Sequence, residues 1–241
     1  MKKILLLLVT TSFLFSSCRF GMGKKVKGDG NITTQEKQVS SFSEVDVSGA
    51  IDLYVTLGDL KPVRIETDQN LQQYIVVRQD GNKIHIDTKD GFRLDPTGKL
   101  KVYVTSPSYS DIDVSGACNI IGENKISGNG DLSLNVSGAG GINMEVEVPT
   151  LKADISGSGS IALKGKTKDF SCDLTGAANA KCFDLLTENT TIEISGAGDA
   201  EVFASIKLDA RVSGAGSVKY KGGAASVNQK VSGAGSVSKV E

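Results

Sequence analysis

Tryptophan is absent from this 241-residue chain, and aromatic residues make up only 5% of it. Stacking platforms for sugar rings are therefore few, which weakens a lectin or glycan-lyase reading without excluding either. Histidine occurs once, at His85, between Ile84 and Ile86 in an alternating stretch. Its side chain should point away from both neighbours and outward, and no nucleophile stands near it in a recognisable arrangement. The formal charge is −1 with the signs interspersed, so no basic patch argues for nucleic acid. Cysteine is scarce as well. Beyond Cys18 there are three, Cys118, Cys172 and Cys182, with no CxxC or Cys/His spacing. That set is neither a disulfide framework nor a zinc site. No residue combination assigns a reaction, a metal or a cofactor, and the expectation is a non-enzymatic protein.

The N-terminus carries a targeting pattern. Met1-Lys2-Lys3 is followed by an apolar run from Ile4 to Val9, then Phe13-Leu14-Phe15 and Ser16-Ser17-Cys18. Such a run is too short to span a bilayer and reads as a cleaved signal, residues 1–17. The segment ending in Cys18 resembles a bacterial lipobox, with Phe15 where Leu or another aliphatic residue is usual. The resemblance implies cleavage before Cys18 and acylation of Cys18, hence a membrane partner through a lipid anchor. Arg19 rather than Asp follows Cys18, which favours the outer membrane; which face it occupies is open. Residues 18–41 are expected to be anchor and tether. The basic stretch Arg19 to Lys27 reads as a solvated linker, or alternatively as a tether lying against anionic headgroups.

The mature chain is dominated by a repeated corner. Ser48-Gly49-Ala50 and Ser115-Gly116-Ala117 come first, then six more copies beginning at Ser137, Ser156, Thr175, Ser195, Ser213 and Ser232. From Ser115 the steps are 22, 19, 19, 20, 18 and 19 residues. A fixed period of this size means stacked supersecondary units. Counting from the serine or threonine as zero, position −1 is Val114, Val136, Ile155, Leu174, Ile194, Val212 or Val231. Apolar residues recur at −3 and −5 with polar ones between, so a half-buried strand leads into each corner. A second strand follows, with Ile120, Ile142, Ile161, Ala180, Ala200, Val218 and Val237 at position +5.

The predicted fold is all-β, a parallel β-helix or β-solenoid with repeats of about 19 residues; an antiparallel meander is the alternative. A solenoid requires the same residue class at −1 in every copy, because each stacks on the next, and it favours small residues stacking at +2. Cys172 and Cys182 occupy inward positions −3 and +7 of one repeat. They read as small core residues, and an oxidising compartment leaves a Cys172–Cys182 disulfide open. The last copy carries Gln229 at −3 and Lys239 at +7, where apolar residues are the rule, and looks like a polar cap.

Between Ser48 and Ser115 the corner is missing, but alternation continues through Ile51–Val55, Val63–Thr67, Tyr74–Arg78, Lys83–Asp87 and Leu100–Val104. Val76 to Asp87 reads as a hairpin around Asp80-Gly81-Asn82, and Gln69–Gln73 as a short helical turn. The expectation is one head, residues 42–241, with an irregular lobe over about 42–110 and regular repeats over about 111–241.

Val47-Ser48-Gly49-Ala50-Ile51-Asp52-Leu53, the charged hairpin and the later Val-Ser-Gly-Ala-Gly copies together resemble the family called "putative auto-transporter adhesin, head GIN domain" (DUF2807). The likeness runs from about Phe42 to Val237. It implies a β-helix-like fold, an envelope location and an adhesin-like role, and it carries no catalytic residues. No translocator barrel is seen, so literal autotransport is not expected.

Three candidate sites remain. Asp87, Asp90 and Asp95 cluster around Gly91 and suit a calcium or sugar contact, or plain turn chemistry. Gly196-Ala197-Gly198-Asp199 resembles a fragment of a calcium-binding β-roll repeat. That site needs Asp in successive coils, and the equivalents of Asp199 include Gly141, Ser160 and Ser217, so no repeated calcium site is expected. Arg64, Arg78 and Arg93 would serve a polysaccharide-acting β-helix enzyme only if the fold gathered them. The reading that results is a cell-envelope lipoprotein, adhesin or scaffold. Its alternatives are a polysaccharide-acting enzyme and a glycan- or small-ligand-binding module. A glycan or protein partner and self-association stay open.

Overall fold

The computed structural model describes residues 23–241. Its strands form one 20-stranded sheet wound into a parallel β-solenoid, plus a separate two-stranded sheet, Lys24–Lys27 with Phe92–Asp95. The eight corners stack in register. Ser48 pairs with Ser115, Ser115 with Ser137, and the ladder continues through Ser156, Thr175, Ser195 and Ser213 to Ser232. The parallel register decides against the meander.

Alternation explains the core. The −3 column, Ile112, Leu134, Ala153, Cys172, Ile192 and Ala210, is wholly buried, each side chain resting on its equivalent one coil away. Cys118, Cys172 and Cys182 are buried free thiols, so the disulfide left open by the sequence is not formed. Burial drives the Cys172 thiol far above its usual range and pushes Cys182 up to about 12. Both are inert packing residues.

The tight stacking falls at +1 and at the +3 glycines, where a Cβ on Gly198 would lie 1.9 Å from the Ala178 carbonyl oxygen, rather than at the small residues of +2. Every +1 glycine has a positive φ, 129° at Gly196 and 125° at Gly214. A Cβ on Gly196 would lie 2.3 Å from the carbonyl oxygen of Gly176 in the coil below. The +2 residues face solvent, and their contribution is a backbone bond: Ala197 N–H donates to that Gly176 carbonyl at 2.8 Å.

The stretch from Ser48 to Ser115 is interleaved with the repeats, out of chain order. Glu44–Gly49 lies between Lys83–Thr88 and Asp111–Gly116, and Asp52–Leu57 lies between Lys101–Ser106 and Asn119–Gly122. The chain lays down one coil, leaves it to build the next coil outward, and returns to the inner side of the first. Antiparallel strands then close this end. Ile75–Asp80 pairs with Lys83–Thr88 as the predicted hairpin, Val63–Asp68 covers Lys101–Ser106, and Ile32–Lys37 covers Val63–Asp68. The predicted helical turn is a 3₁₀ helix, Gln69–Tyr74, holding Leu71 and Gln72 inside. Lys24–Lys27 and Ile32–Lys37 are thus built into the fold, where the sequence suggested a tether.

Among the described residues the opposite end has no such closure. Ser226–Gly233 and Ser236–Lys239 pair only with the coil before them, and Val227 and Val231 remain 36% and 41% exposed. Gln229 and Lys239 lie exposed in this terminal coil.

Candidate interaction surface

The solenoid turns three kinds of outward group into columns. Position 0 is Ser or Thr in all eight corners, and Ser48 Oγ lies 3.0 Å from Ser115 Oγ. Position −2 runs from His85 through Asp46, Asp113, Asn135, Asp154 and Asp173 to Glu193 and then Arg211. Strand spacing of about 4.8 Å puts each carboxylate close to the next. A shallow groove of about 470 Å³ follows this column and the serines beside it.

The acids are managed in pairs. Lys83 Nζ reaches Glu44 at 3.4 Å and both Asp111 and Asp113 at 3.3 Å. Burial alone would lower the Lys83 ammonium; the two aspartates outweigh it and hold it above its usual range. Asp111 is raised, first by burial and then by Asp113. Further along, burial and the adjacent Asp154 raise Asp173, with no lysine between them. Asn135 breaks the run, donating to Asp111 at 3.2 Å and to Asp113 at 2.5 Å.

A second groove, about 830 Å³, opens on another side of the coils. Lys166, Lys168, Leu186 and Phe203 line it, over a floor where the buried hydroxyls of Thr187 and Thr190 lie 2.6 Å apart.

The sites expected from sequence are dispersed. His85 Nδ1 lies 3.0 Å from Asp46 Oδ2 on the outward face, half-buried and without a nucleophile. Asp87 pairs with Arg78 at 2.7 Å and Asp95 with Lys25 at 2.8 Å, while Asp90 is exposed. Arg64 lies 3.6 Å over the Tyr103 ring, which itself stacks on Tyr54 at 4.7 Å. Arg64, Arg78 and Arg93 therefore do not share a site. Among the described residues no three His, Cys, Asp or Glu side chains are grouped to hold a metal ion, and no helix is long and apolar enough to cross a membrane. Cys18 lies outside the described residues.

The sequence missed the Tyr54–Tyr103 stack and the Lys83 node. Both join the inserted coil to its neighbours, and only the pairing of Val45 with Ile84 and of Leu53 with Val102 brings them together.

A repeat-built solenoid with polar outer columns and an apolar interior defines a β-helix repeat class. The chain belongs to the family described as "putative auto-transporter adhesin, head GIN domain", whose model matches residues 41–224. Among solved structures it resembles a "putative adhesin" of Bacteroides fragilis, with 22% identity and a TM-score of 0.81 over 89% of this chain and all of that one. A "putative adhesin" of Parabacteroides merdae is 26% identical, with a TM-score of 0.70 over 90% of this chain and all of that one. A "putative lipid binding protein" of Parabacteroides distasonis is 22% identical, with a TM-score of 0.69 over 90% of this chain and all of that one. No curated protein matches significantly.

Proposed function

We propose that this protein is a non-enzymatic outer-membrane lipoprotein, anchored through Cys18, that presents the solenoid surface as an adhesin or scaffold. The observation that carries this reading is the in-register array of Ser/Thr and Asp/Asn columns, a long polar face of one repeating spacing. Such a face suits a partner with its own repeat, a polysaccharide or an extended protein, better than a single small substrate. Family membership supports the adhesin-like role and an envelope location.

A glycan array probed with the mature chain tests the reading. Binding to a polymeric glycan that weakens when Asp154, Asp173 and Ser156 are replaced by Ala is the expected result. Turnover of that glycan would replace the scaffold reading with the enzymatic one. Metabolic palmitate labelling tests the anchor: Cys18→Ser should lose the label and leave the membrane fraction, and undiminished label would end the lipoprotein assignment.

A ligand-binding module is the second reading, favoured by the groove at Lys166, Lys168, Leu186 and Phe203. Ligand protection of Lys166 and Lys168 from acetylation would support it.

A further inference from the structure

We infer that the two-stranded sheet Lys24–Lys27/Phe92–Asp95 is a docking face for the anionic headgroups of the bilayer, standing the solenoid on its closed N-terminal end. The inference rests on the reading of Cys18 as the lipid anchor and adds to it a second, electrostatic contact with a defined set of residues.

The two strands run parallel, and their alternation sorts the side chains. Phe92, Val26 and Leu94 are partly covered on one side. Lys25, Lys27, Arg93 and Asp95 occupy the other, with Lys25 opposite Arg93 and Lys27 opposite Asp95. Lys25 bridges to Asp95 at 2.8 Å. Lys27 and Arg93 have no ion-pair partner among the described residues, so this face keeps two cations uncompensated. Like charges directly opposite in a sheet are unfavourable in isolation, and an anionic surface removes the conflict between Lys25 and Arg93. Asp95 reports the local field: Lys25 foremost, then Lys27 and Arg93, hold its carboxyl below the usual range. The wider segments 19–27 and 89–95 contain six cations and two carboxylates, in a chain whose formal charge is −1. The rest of the head is therefore net acidic and is repelled by an anionic leaflet.

Chain length sets the location. Gly23, the first described residue, lies five positions after Cys18, and five peptide steps span at most about 18 Å. An acylated Cys18 holds this sheet within reach of the headgroups whatever path the four intervening residues take.

The sheet is also fixed to the head. Gly28 N–H, directly after one strand, donates to Asp95 O at 2.9 Å. The buried Asp68 carboxylate then accepts from Gly30 N–H at 2.7 Å, Thr97 N–H at 2.9 Å and Thr97 Oγ1 at 2.6 Å. Both arms leaving the basic sheet are thus pinned to one side chain, so headgroup contact is transmitted to the orientation of the whole solenoid.

The test uses the mature-length Cys18→Ser chain, which cannot be acylated, and sedimentation with vesicles. Phosphatidylcholine mixed in equal parts with phosphatidylglycerol should bind it, and pure phosphatidylcholine should not. Each cation near such a surface contributes about a fivefold gain in partitioning, so Lys25→Gln/Lys27→Gln/Arg93→Gln should lower binding on the order of a hundredfold. Lys152→Gln/Lys181→Gln/Lys219→Gln, an equal loss of charge on distant coils, should lower it far less. Circular dichroism confirms that the variants fold. No preference for the anionic vesicles, or equal losses in the two triple variants, overturns the docking face. Either result leaves the anchor standing, because palmitate labelling of the native chain reads Cys18 alone.

Discussion

Ser48 and Ser115 stand 67 positions apart in the chain, yet their hydroxyls meet at 3.0 Å as adjacent rungs of one column. Between them lie the second strand of the first coil, the inserted coil with its antiparallel closure, and the strand Phe92–Asp95. The contact shows the corner motif acting as a register mark that holds across a long excursion. The glycine after each serine enforces it, because only a residue without Cβ lets successive backbones approach this closely.

That glycine gives the first prediction. Gly196→Ala adds a Cβ at positive φ and drives it into the Gly176 carbonyl. The expected loss is roughly 2–4 kcal/mol, combining backbone strain with overpacking. Ala197→Ser, one residue on and exposed, should melt within about 0.5 kcal/mol of the parent. A thermal melt of both variants decides it, and matching losses would show that stacking does not run through the glycines.

The strand phase gives the second. Ile194 is 1% exposed, while Ser195 faces solvent. Ile194→Asp buries an unpaired carboxylate and should cost about 4 kcal/mol or prevent folding. Ser195→Ala should stay close to the parent. Urea unfolding monitored by circular dichroism separates the two, and similar midpoints would invert the assigned faces.

These two positions also show what the sequence could reveal. Period-two alternation and a fixed spacing are local signals, and they were enough for the strands, the inward columns and the parallel stack. Stacking order is a long-range property. No local pattern says that Glu44–Gly49 separates Lys83–Thr88 from Asp111–Gly116, so the N-terminal section read as irregular. The same limit hid the Lys83 node and the Tyr54–Tyr103 stack. The basic stretch before Gly28 read as a linker because its strand partner, Phe92–Asp95, lies far along the chain and adds Arg93 to it. The packing expected of the small +2 residues belongs to the glycines at +1 and +3, since Ser-Gly-Ala spacing alone does not say which residue faces the neighbouring coil.

Asp68 makes the N-terminal closure sensitive to acid. Burial opposes its ionisation, but the bonds from Thr97 and Gly30 prevail and its carboxyl titrates below the ordinary 3.8. A depressed carboxylate contributes stability above its unfolded pKa and loses it as pH falls through the lower folded value. The melting temperature should therefore decline below about pH 4, and Asp68→Asn should flatten that decline while lowering stability at neutral pH. A pH series of melts on parent and variant checks this. An unchanged acid limb in Asp68→Asn would remove Asp68 from the account.

The C-terminal coil gives the last prediction. Among the described residues its strands pair on one side only, which leaves a row of unpaired backbone groups on the other. An open edge is a template for another chain unless polar or charged side chains blunt it. Here Gln229 and Lys239 stand where the coil below has the buried Ala210 and the partly buried Tyr220. Removing residues 226–241 would transfer the edge to the coil of Leu208, Ala210, Val212 and Val218, all at most 2% exposed in the intact chain. The inward side of that new edge is apolar and carries no charge. The truncated protein should therefore associate end to end or aggregate at concentrations where the intact chain stays monodisperse. Light scattering on the two proteins reads the difference directly. Restoring solubility by placing Lys at position 210 of the truncated chain would identify the exposed edge as the cause. A truncated protein as monodisperse as its parent would mean that the polar terminal coil does not protect the stack.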